Sequence, residues 1–90
     1  MKGIVFREFI DMVEEQFSRE ILDRIIDLSH LATGGAYTAV GTYDHREIVE
    51  LVGHLSGETG IAVPGLMRVF GQHLFGRFAQ IYPRFFATSR

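Results

Sequence analysis

The sequence contains no cysteine, and this absence excludes several kinds of chemistry. Without a thiol the chain forms no disulfide, presents no thiolate nucleophile and holds no zinc or iron–sulfur cluster through cysteine ligands. No apolar run approaches the roughly 20 residues that a membrane-spanning helix needs. Arg7 and Glu8 interrupt the apolar opening residues at once, which argues against a secretory signal. We therefore expect a cytoplasmic protein with no membrane partner.

Acidic residues are missing from the last third of the chain. Residues 1–58 carry all eleven Asp and Glu against five Lys and Arg, a net charge of −6, whereas residues 59–90 carry four Arg and no acid, a net charge of +4. A basic, aromatic segment is one signature of nucleic-acid binding. These arginines are sparse, however, and apolar residues separate them at helical spacing. We expect no nucleic-acid partner, and a flat, apolar, anionic ligand suits the composition better.

The chain is short but rich in apolar side chains. Its 90 residues support one small domain, yet 47% of them are apolar, with eight Phe and three Tyr. This content exceeds what four helices need to fill their own interior. The excess predicts a surface that is covered by a cofactor, by a further segment of protein or by a partner chain.

Helical periodicity dominates the sequence and predicts an all-α chain of four to five helices. The expected spans are about 3–17, 19–31, 45–58 and 63–81, with a possible fifth helix at 84–90. Residues 36–41 have some strand propensity, but glycines flank them and we interpret them as an ordered loop. No internal repeat or linker divides the chain, which we treat as one domain over residues 1–90.

Local signals mark the ends of these helices. Ser18 is a suitable N-cap for the second helix, and Asp44 caps the third, where Glu47 is expected to complete a capping box. Gly60 is expected to end the third helix as a C-cap. Pro64 lies in the first turn of the fourth helix, where its missing N–H has no cost.

No arrangement of catalytic or metal-binding residues is evident. The serines lie in capping, turn or terminal positions, and none occupies a nucleophile elbow. Metal-binding histidines usually occur in i, i+4 pairs or beside a carboxylate on one helix face, and the four histidines form no such pair within a helix. His73 is the most notable because it lies near Phe70 in an aromatic helix, but such a residue is more often hydrogen-bonded than a ligand. We predict no enzyme activity and no metal ligand.

Three stretches match one protein family in the same order along the chain. They are MKGIVF at residues 1–6, GGAYTAVGTYDH at 34–45, and the stretch from ETGIAVP at 58–64 through FGQHLF to YPRFF at 82–86. Each is weak alone, but together they cover nearly all 90 residues. By these stretches the chain resembles the N-terminal, distal half of the haem nitric oxide/oxygen binding (H-NOX) domains.

The resemblance implies the distal subdomain of an α+β haem-binding fold whose C-terminal sheet is absent from these residues. In the family, helices and sheet enclose one haem b. A histidine just beyond this stretch ligates the iron, and a Tyr-x-Ser-x-Arg motif further on holds the propionates. Neither has a counterpart in residues 1–90. We therefore expect a truncated domain in which none of the four histidines is the iron ligand.

The same resemblance assigns the residues that would contact the cofactor. By position these are Val5, Phe9, Met67, Gly71, Leu74, Phe75 and Phe78. Val5 and Phe9 would face the distal ligand pocket and the rest the porphyrin, with Gly71 small enough for the backbone to approach the ring. Because Val5, Phe9 and Leu74 offer no hydrogen-bond donor to bound oxygen, the resemblance implies a nitric oxide sensor without a stable oxygen complex. The core of an ordinary helical domain would show the same apolar residues at helical spacing. Core packing and haem contact are compatible interpretations, because the wall of a haem pocket is itself core.

Two functions remain open. The first is haem-based sensing of nitric oxide, with signalling to a partner that the resemblance implies is a histidine kinase or diguanylate cyclase, through movement of the N-terminal helices. The alternative is a haem-free helical interaction module formed by a truncated chain. Burying one exposed aromatic side chain recovers roughly 1.5–3 kcal/mol, so several would favour a homodimer.

Overall fold

The computed structural model describes residues 1–81, with the backbone alone for Phe78, Gln80 and Ile81. Its helices are α1 (Gly3–Gln16), α2 (Arg19–Leu28), α3 (His45–Thr59) and α4 (Val63–Ile81). This described part holds no strand, and its one isolated antiparallel bridge joins Lys2 to Thr42. The predicted all-α architecture is therefore confirmed over these residues. The possible fifth helix at 84–90 lies outside them.

The interior is formed by α1, α2, α3 and the first half of α4. Apolar residues three or four positions apart stand on one face of each helix, and these faces meet. The buried core consists of Phe6, Phe9, Met12, Val13, Leu22, Ile25, Tyr37, Ile48, Leu51, Val52, Leu55, Leu66 and Phe70. Beyond Phe70, the described part of α4 contributes no further buried apolar side chain. The second half of α4 therefore adds no apolar side chain to this core among the residues that the structure describes.

The helices end where backbone groups find substitutes for helical hydrogen bonds. The side chains of Ser18 and Asp44 accept hydrogen bonds from amides of the first turn, at 3.1 Å and 3.0 Å, so both predicted N-caps form. Gly60 closes α3 with φ 75°, in the left-handed region that favours glycine. α2 ends at Leu28, short of the predicted residue 31, because Ser29 adopts an extended conformation with ψ 127°.

The capping box expected at the start of α3 does not form. Instead of turning back to the amide of Asp44, Glu47 accepts hydrogen bonds at Oε1 from the hydroxyls of Thr33 (2.8 Å) and Tyr37 (2.7 Å). Burial raises the pKa of Tyr37 to about 12, with the Glu47 carboxylate adding to the rise and Thr33 opposing it. Glu47 therefore ties the loop before α3 to that helix.

The first turn of α1 is held against the same loop. The Gly3 amide donates to the carbonyl of Gly41 at 2.8 Å, and the Tyr43 amide donates to the carbonyl of Met1 at 2.9 Å. A Cβ added to Gly3 would collide with the carbonyl oxygen of Thr38, so only glycine fits at this position. The contact fixes the start of the helix that carries Val5.

Candidate functional site

One face of α4 is apolar and yet lies at the surface. The exposed fractions of Met67, Leu74 and Phe75 are 43%, 37% and 62%. Helical spacing places these residues on one side of α4, together with Gly71, whereas Phe70 points into the core. Exposed apolar side chains that are neighbours on one helix face are a feature of binding and interaction surfaces. We call Met67, Gly71, Leu74 and Phe75 the open face.

An apolar groove of about 390 Å³ lies between the start of α1, α3 and α4. Its walls include Val5, Val52, Met67 and Phe70, and Met67 also belongs to the open face. No side chain that lines the groove carries an N–H or O–H donor. The groove therefore accommodates apolar groups and offers them no side-chain hydrogen bond.

The predicted site residues lie in different surroundings. Val5 lines the groove with Met67, while Phe9 is buried behind it and packs edge-to-face against Phe70, with ring centroids 5.5 Å apart. Gly71 is exposed, and a Cβ added there would have no neighbour within 4 Å. The side chain of Phe78 lies outside the described residues.

A polar cluster joins α1 to another side of α4. The Oε1 atom of Glu8 lies 3.1 Å from Nε2 of His73 and accepts a hydrogen bond from Nε of Arg77 at 2.9 Å. Arg77 also donates to Asp11 at 3.2 Å. Burial acts to raise the pKa of Glu8, but the hydrogen bonds from Arg77 and His73 outweigh it and hold the pKa below its ordinary value. We call Glu8, Asp11, His73 and Arg77 the α1–α4 clamp.

Sequence reasoning missed this cluster, although it singled out His73. Glu8 and His73 are 65 positions apart, and no local pattern pairs them. Among the described residues no group of three or more His, Asp or Glu is arranged to hold a metal ion. No helix in residues 1–81 is long and apolar enough to cross a lipid bilayer.

These features define a class of protein: a helical module that presents an open apolar face and an adjoining apolar groove to a group outside its own core. The family model described as Haem-NO-binding (HNOB) matches residues 2–90. The chain belongs to this family. Its four helices match the helical, distal half of the H-NOX fold.

Solved structures agree with this assignment. The unliganded Fe(II) H-NOX protein from K. algicida is 40% identical, with a TM-score of 0.88 over 98% of this chain and 48% of that one. An alanine-to-glycine variant of it is 41% identical, with a TM-score of 0.89 and the same coverage. The H-NOX from Shewanella woodyi, solved in solution with IWP-051 bound in the Fe(II)CO state, is 34% identical, with a TM-score of 0.80 over 100% of this chain and 47% of that one.

The chain thus spans about half the length of the structures that it matches. A comparison with curated proteins found no significant match. Domains of this family bind haem and gases such as nitric oxide, carbon monoxide and oxygen, and they are gas sensors rather than enzymes.

Proposed function

We propose that this chain forms the distal wall of a haem-based nitric oxide sensor. The observation that carries the proposal is the open face of α4, whose apolar side chains remain exposed beside a groove without side-chain donors. Each Å² of apolar surface removed from water contributes roughly 25 cal/mol, so a flat apolar macrocycle placed on this face would be held firmly. Membership of a haem-binding family supports haem as that macrocycle.

The residues present fit one side of such a group. Met67, Leu74 and Phe75 would cover the porphyrin, and the open space in front of Gly71 would let the ring approach the helix backbone. When bound, the haem supplies the iron on which the gas is held. Val5 would wall the gas side, with Phe9 supporting it from behind. No residue of the open face or of the groove is proposed as the iron ligand.

The chemistry of this wall favours nitric oxide over oxygen. A bound oxygen develops negative charge, which a hydrogen-bond donor must stabilise, whereas nitric oxide on ferrous iron needs no such donor. Val5, Phe9 and Leu74 provide none. The ring nitrogens of His73, next to Leu74 in sequence, face Glu8 at 3.1 Å and Glu15 at 3.7 Å. We expect ferrous protein in air to show no persistent oxygen complex, and a stable one would contradict the selectivity.

The output of the sensor belongs to the same proposal. Nitric oxide would shift the N-terminal helices between two arrangements, and a partner enzyme, a histidine kinase or diguanylate cyclase, would respond to the change. The resemblance to H-NOX domains supports this partner class.

A pair of glycine variants tests the proposed binding face. Gly71 and Gly76 both lie within α4, and a Cβ added to either has open space around it. Alanine at a helix interior is favoured over glycine by about 0.5–1 kcal/mol, so both variants should stabilise the protein without haem. Only Gly71→Ala should weaken haem binding, by roughly tenfold if the added methyl costs about 1.4 kcal/mol of affinity.

The measurement is a hemin titration that follows the Soret band, with oligomeric state recorded alongside. A sharp band that saturates at one haem per chain in the unaltered protein is the expected result. A broad, non-saturating band in a dimeric protein would favour the haem-free interaction module instead. Equal haem affinity in Gly71→Ala and Gly76→Ala would mean that the added methyl group at residue 71 does not meet the porphyrin.

A further inference from the structure

The contact between Glu8 and His73 in the α1–α4 clamp is the most deeply buried ion pair of the described residues, whereas Arg77 and Asp11 at the edge of the clamp are 38% and 40% exposed. The side chains of His73 and Glu8 are 7% and 15% exposed, whereas those of the Arg19–Glu14 pair are 71% and 41% exposed. Water screens exposed pairs, which contribute little. A carboxylate buried as deeply as Glu8 depends on its partners, because losing them leaves a charge with little access to water.

The clamp joins two stripes of side chains along the facing helices. Glu8 and Asp11 are three residues apart on α1, and His73 and Arg77 are four apart on α4, so each pair occupies one side of its helix. A single oxygen of Glu8 accepts from both α4 residues, and Arg77 extends the contact to Asp11. Contacts at two levels of each helix resist rotation of either helix about its own axis.

The clamp residues lie next to the residues of the proposed haem site. Glu8 precedes Phe9, and His73 precedes Leu74. Neighbouring residues point about 100° apart around a helix, so a rotation that separates the clamp also turns these site residues. The edge-to-face contact of Phe9 with Phe70 also joins α1 to α4, on the core side of the two helices.

We propose that Glu8 is a positioning residue for the distal pocket. By holding His73 and Arg77 it fixes the rotation of α1 against α4. It thereby sets the orientation of the side of α1 that carries Val5 relative to the side of α4 that carries Leu74. Its effect on the gas ligand is indirect and passes through these apolar walls. The inference rests on the proposed function and adds a residue that controls the shape of that site.

The test compares Glu8→Gln with Glu14→Gln. Both substitutions remove one carboxylate of α1 that pairs with an arginine, but only Glu8 belongs to the clamp. In the protein without haem, methyl NMR should show shifted resonances for Val5 and Leu74 in Glu8→Gln and unshifted ones in Glu14→Gln. With ferrous haem and carbon monoxide, the C–O stretching band should move or split in Glu8→Gln alone.

The two readouts separate this inference from the proposed function. If the unaltered protein binds no haem, the proposed function fails, while the methyl resonances still report on the clamp. Unchanged methyl shifts in a folded Glu8→Gln variant would overturn the inference whatever the haem does, and so would an unchanged C–O band. Should Glu8→Gln lose its helical circular dichroism, Arg77→Gln removes one donor only, and the same shifts must then appear for the inference to stand.

Discussion

Two faces of α4 lie in different surroundings. On one face, Leu66 and Phe70 enter a core in which Phe6 and Phe9 of α1 are fully buried. On the other, the side chains of the open face remain at the surface. This difference is the one that the proposed function requires, since the open face is the surface that haem would cover.

The largest expected effect concerns the buried core. Phe6 is fully buried and stacks on Tyr37 with ring centroids 4.4 Å apart. Phe6→Ala should destabilise the protein by about 3–5 kcal/mol, because it removes apolar contacts and leaves a cavity. Chemical unfolding followed by circular dichroism measures the loss.

Met67→Ala is the matched variant on the open face. Because Met67 is nearly half exposed, we expect a change within about 1 kcal/mol in the protein without haem. A loss as large as that of Phe6→Ala would mean that the open face is already covered, and the contrast between the buried face and the open face of α4 would disappear.

An intermediate effect is expected where the N-terminal turn meets the loop. Gly3→Ala would force a methyl group against the carbonyl oxygen of Thr38, and overpacking of this kind costs about 1–3 kcal/mol. Gly53→Ala in α3 is the control, since a Cβ there has open space and alanine should stabilise the helix by about 0.5–1 kcal/mol. Thermal unfolding of both variants would show opposite shifts of Tm, and a neutral Gly3→Ala would contradict the close approach.

The smallest expected effect is a pH dependence of the stability that Glu8 contributes through the α1–α4 clamp. The pKa of Glu8 is lower in the folded protein than its ordinary value, so its contribution to stability is present above about pH 4.3 and is lost as the pH falls through the lower, folded value. The stability advantage of the unaltered protein over Glu8→Gln should therefore shrink on acidification. Urea unfolding at neutral and acidic pH measures this advantage. A difference in unfolding free energy that stays constant with pH would show that the charge of Glu8 does not contribute to stability.

Much of the fold could be predicted because its signals are local. Apolar stripes revealed the four helices, and the caps Ser18, Asp44 and Gly60 located three of their ends. The end of α2 could not be predicted, because residues after Leu28 keep an apolar pattern while Ser29 turns the backbone away. The role of Glu47 was also mistaken, since its true partners are loop hydroxyls whose position depends on the folded chain.

The candidate site could be predicted only in part for the same physical reason. Composition indicated an excess of apolar residues, and the family resemblance indicated which residues would contact the cofactor. That Phe9 would be buried while Phe75 stays exposed depends on how α1 packs against α4. The partners of His73 depend on the same packing, which brings together residues from opposite ends of the chain.

The ring cluster of Phe6, Tyr37 and Tyr43 also provides a built-in optical reporter. The sequence has no tryptophan, so tyrosine dominates its ultraviolet emission, and two of the three tyrosines lie in this cluster. A carboxylate bonded to a phenol quenches its fluorescence, and the Tyr37 hydroxyl is bonded to Glu47. Emission should brighten when the loop detaches from α3, which allows folding of the protein without haem to be followed without a label.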